Sequence, residues 1–177
     1  YKDSKPVATP DFIQKPIKFE ENNALKKLIR YDKLPKSHPA YDFITKRKIP
    51  EEHIDKFYFC DKFYKWVNSI IPKKLPTKND HPRVIIPFYD RTGKFFAFQG
   101  RAFGKETPKY ITIMLDNMPK LYNLDKVNLS EKVYVTEGPI DAMFIDNSIA
   151  MAGADLPVEY RKYDVTYVFD NEPRNPE

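Results

Sequence analysis

Cysteine is nearly absent from this sequence: Cys60 stands alone, and the three histidines are far apart in the chain. A single thiol cannot close an intrachain disulfide, which fits a reducing cytoplasm. One cysteine with scattered histidines also excludes a cysteine-rich zinc site. Cys60 sits among Phe57, Tyr58, Phe59 and Phe63, so a buried structural thiol is expected rather than a nucleophile. No apolar run is long enough to cross a bilayer, and no charged-then-apolar leader opens the chain. The first residue is Tyr1 rather than Met, from which a fragment or processed product is expected.

What is present is charge of both signs and many rings. Thirty basic residues face 25 acidic ones, a net charge of +5, with 12 tyrosines and 13 phenylalanines among 177 residues. A basic, aromatic-rich surface suits nucleic acid through phosphate neutralisation and base stacking, but an excess this modest assigns no partner. The length holds one medium domain or two small ones with a proper core.

The most informative stretch is 132–154, KVYVTEGPIDAMFIDNSIAMAGA. Val133-Tyr134-Val135 predicts a buried strand. Glu137 follows its carboxyl end, Gly138 permits a sharp turn, and Pro139 suits the first position of a helix. Ile140, Met143 and Phe144 recur at helical spacing, predicting a short amphipathic helix ending near Asn147. Strands are expected again at 148–151 and 165–169, with a helix between them, and this alternation implies a parallel sheet. Ligands of such sheets bind beyond the carboxyl ends of the strands, where Glu137, Asp170 and Glu172 fall. Asp141 lies one helical turn after Glu137. Gathering carboxylates is costly unless a cation neutralises them, and magnesium or manganese accepts oxygen ligands alone. Acids at strand ends also serve as helix caps and solvated loop residues. Two acidic loops at matching ends of neighbouring strands favour the metal reading.

Upstream, 1–24 reads as a basic, proline-containing arm or linker. Leu25 to Leu34 suggests a short helix or turn. Ser37-His38-Pro39 marks a helix start with Ser37 as candidate cap, and Pro50-Glu51-Glu52 marks another. The aromatic residues of 57–66 are expected in a core, and 72–82 in a breaker-rich loop. RVIIPFYD, Arg91-Thr92-Gly93 and KFFAFQGRAFG predict a β-hairpin with a glycine-containing turn. Arg101 and Lys109 follow closely on that sheet, and cations on rigid elements make better phosphate ligands than loop lysines.

Glu137-Gly138-Pro139-Ile140-Asp141 with Asp170-Asn171-Glu172 resembles the two signature motifs of the Toprim domain, shared by bacterial-type primases, topoisomerases and some nucleases. The family usually shows Asp-x-Asp in the second motif; here Glu172 takes the last place. RVIIPFYDRTGKFFAFQGRA, TPKYITI and KLYNLD resemble the basic half of bacterial replicative primases, in the same order. Thr112 stands where that family often has Asn, and Asn123 where it has Gly. The wording FQGRA, PKYITI, EGPID and DNEPRNP is similar to the primases of T-even-type tailed phages, over roughly 31–177.

The resemblance implies an α/β chain, with a basic α+β subdomain at 25–128 followed by an incomplete Toprim parallel-sheet domain at 129–177. It implies a nucleotidyltransferase making RNA primers on single-stranded DNA from ribonucleoside triphosphates, alongside a replicative helicase in the cytoplasm of an infected bacterial host. Glu137, Asp170 and Glu172 would be catalytic and bind magnesium. Arg101, Lys109, Lys120 and Tyr110 would contact nucleotide or template, with Gly138 and Asp141 supporting. A zinc-binding module and the rest of the Toprim sheet are then expected elsewhere, leaving this chain feeble alone. A Toprim nuclease, or a single-strand-binding module whose acids only cap helices, are the rival readings.

Overall fold

The computed structural model describes residues 23–153 and 155–169. Asp170 and Glu172 lie outside them, as does the 1–22 portion of the arm. The described chain is α/β. An antiparallel sheet is built from β1 (Ile29–Arg30), β2 (Tyr58–Cys60), β3 (Arg83–Tyr89), β4 (Phe95–Ala102) and β5 (Tyr110–Met114), in that spatial order. A parallel sheet follows, with β6 (Val133–Thr136) flanked by β7 (Ser148–Ala150) and β8 (Val165–Val168).

The predicted hairpin is β3–β4. Its tip is tied by Asp90, whose Oδ1 accepts from the Thr92 amide (2.8 Å), the Thr92 hydroxyl (2.6 Å) and the Lys94 amide (3.0 Å). Gly93 adopts φ +83° there, which glycine takes without steric cost. All of β4 and nearly all of β3 are buried, because a core lies on each face of the sheet. One core holds Phe63, Trp66, Ile85, Phe98 and Ile113. The other runs from Val84, Ile86 and Phe88 through Leu121 to Val135 and Ile149, and so joins the two sheets.

The aromatic run of 57–66 is core, as expected: Phe57 and Phe63 are fully buried, and Trp66 packs on Phe98 at 4.6 Å between ring centroids. Part of this run is the strand β2, and the rest begins α2 (Phe63–Ile70). The 72–82 loop does more than connect. Asp80 accepts from the Tyr64 amide (2.7 Å) and the Lys65 amide (3.0 Å), satisfying amides that the first turn of a helix leaves unpaired. Cys60 is buried, and burial pushes its thiol up to about 12. The native protein should therefore resist iodoacetamide at pH 8 and react only on unfolding; rapid native labelling would contradict this. Because the folded value exceeds the ordinary one near 9, the thiol's contribution to stability is complete below pH 9. It is lost as pH rises from there towards 12.

Several local readings change. The cap of α1 (Pro39–Lys46) is His38 rather than Ser37, its Nδ1 accepting from the Ala40 amide at 3.1 Å. An imidazole nitrogen serves here as the side-chain acceptor more often supplied by serine. Leu25 to Leu34 is a 3-10 turn, the short strand β1 and a second 3-10 turn. Helix α3 is only Pro139–Ala142, so Ile140 and Met143 are buried while Phe144 is 52 % exposed. Between β7 and β8 stands a 3-10 turn at Val158–Tyr160 instead of a helix. Among the described residues no helix is long and apolar enough to cross a membrane.

Candidate active site

Successive side chains on a strand point to opposite faces, so Gln99 and Arg101 of β4 share one face. The register sets Thr112 opposite Gln99 and Tyr110 opposite Arg101. This face meets the loop at the carboxyl end of β6 across a cleft of about 440 Å³. Lys109, Tyr110 and Thr112 line it on the β5 side, and Glu137, Gly138 and Asp141 on the other. Lys120 and the turn Ala152–Gly153 complete the lining.

Each contributor has a local cause. Lys120 arrives because Tyr122 forms an antiparallel bridge with Ala150, and the Asn123 side chain donates to the Ser148 carbonyl at 2.8 Å. Ala152 and Gly153 turn with φ +50° and +83°, after the Ala152 amide donates to the Glu137 carbonyl at 2.9 Å. Gly138 is extended rather than left-handed, with φ −114°. A Cβ there would come within 2.6 Å of Asp141 Oδ2, so any larger residue would push the Asp141 carboxylate aside. Asp141 therefore bears directly on the turn carrying Glu137.

Six residues singled out from the sequence thus share one cleft: Lys109, Tyr110, Lys120, Glu137, Gly138 and Asp141. Arg101 is placed differently from the expectation. It is 4 % exposed and donates to the Ala102 carbonyl, and its guanidinium lies 4.6 Å from the Tyr110 ring and 5.6 Å from Phe43. Burial pulls that guanidinium below its ordinary value. Arg101 supports the Tyr110 ring and is absent from the cleft lining. Tyr110 keeps 41 % of its surface exposed.

Two further residues emerge only in three dimensions. Arg83, fully buried, donates to the carbonyls of Gly100 (3.1 Å), Lys109 (3.3 Å) and Pro108 (2.9 Å) and lies 5.3 Å from the Phe63 ring. It fixes the backbone from which Lys109 projects. Gly100 makes room for this packing, since a Cβ would come within 2.5 Å of the Phe63 ring. Gln99 is the other; a lone amide in an apolar strand was the available signal. A second cleft of about 430 Å³, bordered by Arg30, Lys56, Tyr58, Tyr122 and Asp125 among others, holds none of the residues expected to be catalytic, metal-binding or nucleotide-binding.

Among the described residues no three acidic, histidine or cysteine side chains gather to hold a metal. Glu137 and Asp141 nevertheless bring two carboxylates to one cleft. A magnesium ion characteristically takes one or two carboxylates together with water and substrate phosphates, so this oxygen donor set fits such an ion. Strand register extends the argument: Thr136 pairs with Val168 in parallel, so Glu137 and Phe169 leave neighbouring strands at the same level.

The architecture is that of the catalytic cores of bacterial primases. The RNA polymerase domain of Mycobacterium tuberculosis primase DnaG matches 84 % of this chain and 64 % of its own, with TM-score 0.61 and 15 % identity. A DnaG primase catalytic domain bound to single-stranded DNA matches 77 % of this chain and 55 % of its own, at TM-score 0.57 and 17 % identity. In sequence the chain resembles the phage primases: it is 37 % identical over 98 % of its length to the DNA primase of Enterobacteria phage T4. It spans about half of that relative, 52 %. No family model matches the chain.

Proposed function

We propose that this chain is the catalytic core of a DNA primase, a nucleotidyltransferase that makes short RNA primers on single-stranded DNA during phage DNA replication. The observation that carries the reading is the single cleft shared by Lys109, Tyr110 and Lys120 with Glu137 and Asp141. Cations facing carboxylates suit a triphosphate that must be neutralised on one side and bound through a metal on the other. Similarity to the T4 primase over nearly the whole chain supports the reading, as does the likeness to a core bound to single-stranded DNA.

In this reading Lys109 and Lys120 neutralise phosphates, and Tyr110 offers its exposed ring to a base. Glu137 takes the proton from the attacking 3′-hydroxyl. Asp141 holds the Gly138 turn in shape. Magnesium or manganese would be held by Glu137 with Asp170 and Glu172, and when bound it supplies charge neutralisation for in-line phosphoryl transfer. Asp170 follows directly on Phe169 in sequence, which supports its inclusion. The partners in this reading are single-stranded DNA, ribonucleoside triphosphates and a replicative helicase, in the cytoplasm of an infected bacterial host, with a zinc-binding module and the remaining Toprim portion supplied elsewhere.

The test is ribonucleotide incorporation on a single-stranded template by the full-length protein, wild type against Asp170→Asn. Incorporation should fall by about 10²-fold or more while DNA binding persists. Unchanged incorporation removes Asp170 from the site. Magnesium-dependent nicking of labelled DNA without incorporation assigns a nuclease instead.

A further inference from the structure

We propose that the carboxamide of Gln99, held by Thr112, recognises a ribose hydroxyl of the nucleotide bound in the cleft; this rests on the nucleotide-binding reading above. Gln99 is 3 % exposed and contributes to the cleft lining beside Thr112. Its Nε2 donates to the Thr112 hydroxyl oxygen at 3.1 Å, across a directly paired register position. Its Oε1 is shut off from solvent and has no partner among the described residues. Buried polar atoms are nearly always paired, and leaving one unpaired costs stability. An apolar residue would fill this place on β4 at lower cost, so the amide calls for an explanation in binding.

The chemistry narrows the ligand. One end of the carboxamide is committed to Thr112 and the other is spare. Half a turn of the amide exchanges the ends: Oε1 then accepts from the Thr112 hydroxyl and Nε2 becomes spare. The terminal torsion of glutamine is soft, so a small rotation turns the spare end towards the cleft. A phosphate oxygen can satisfy only a spare N–H, and an exocyclic base amine only a spare oxygen. A hydroxyl both donates and accepts, so it satisfies either arrangement. Ribose hydroxyls are also common to all four ribonucleotides, whereas exocyclic amines are missing from uracil. A template-directed site must accept every base, and this favours a contact to the sugar.

The measurement is calorimetric titration of the full-length protein with ATP, 2′-deoxy-ATP and 3′-deoxy-ATP in magnesium, for wild type, Gln99→Met and Thr112→Val. Gln99→Met keeps the length of the side chain and deletes both polar ends. The wild type should prefer ATP over one deoxy analogue by about tenfold, the effect of one well-made hydrogen bond. In Gln99→Met that preference should fall to about unity, and in Thr112→Val it should weaken. An undiminished preference in Gln99→Met overturns the assignment, as does an equal loss for all three nucleotides or a wild type that does not discriminate. These outcomes leave the nucleotide-binding reading standing. A wild type that binds none of the three overturns both.

Discussion

Glu137→Gln in the full-length protein should reduce primer synthesis by about 10²- to 10⁴-fold, the usual cost of losing a positioned acid–base group, with binding of single-stranded DNA retained. Glutamine keeps the size and one carbonyl oxygen of Glu137, so the turn through Gly138 and the contact with Asp141 need not change. What it lacks is the negative charge, which both proton abstraction and a hard cation require. Labelled-ribonucleotide incorporation reads the first quantity and fluorescence anisotropy with a labelled oligonucleotide the second. Were Glu137 only a solvated loop residue at the end of β6, incorporation would be indifferent to the change. Loss of DNA binding in parallel with activity would point to a damaged fold rather than to chemistry.

Arg83→Met should destabilise the protein by about 3 kcal/mol, the upper end of what hydrogen bonds from a charged donor to buried acceptors contribute. For a chain of this size that lowers the melting temperature by about 10 °C. Methionine fills much of the space beside Phe63, so the loss is chiefly one of hydrogen bonds. The carbonyls of Gly100, Pro108 and Lys109 each lose a donor, although that of Lys109 keeps the Ala102 amide at 3.0 Å. Arg83→Lys should recover only part, since a single ammonium cannot reproduce the planar fork. Urea denaturation reads the effect, with Lys36→Met as an exposed comparison expected within about 0.5 kcal/mol of wild type. Burial lowers the Arg83 guanidinium below its ordinary value, with Tyr64 and Glu106 working the other way. Among the described residues no carboxylate forms an ion pair with it. A variant as stable as the wild type would show that the clamp on the β5 entry is dispensable.

Strand periodicity and turn chemistry are local, and what depends on them was legible in the sequence. The hairpin from Arg83 to Ala102 could be read that way, as could the strand before Glu137, the Gly138–Pro139 helix entry and the aromatic core around Phe63. Two misreadings share a cause. His38 replaced Ser37 as the cap, and α3 stopped at Ala142 with Phe144 exposed, because helix ends depend on side-chain geometry and neighbouring packing that spacing alone does not encode.

The sequence by itself determined the β3–β4 hairpin, the strand before Glu137 and the helix entry at Gly138–Pro139, since strand alternation, proline and glycine act within a few positions. Only the tertiary structure decided which of the basic residues meet the acidic loop. Lys109 and Lys120 reach it because β5 and the bridge at Tyr122 bring them there, while Arg101 turns under Tyr110. It alone revealed Arg83 and Gln99, whose partners lie 13 to 26 residues away. A side chain's direction is set by register and by the surface packed against it, and both are long-range properties.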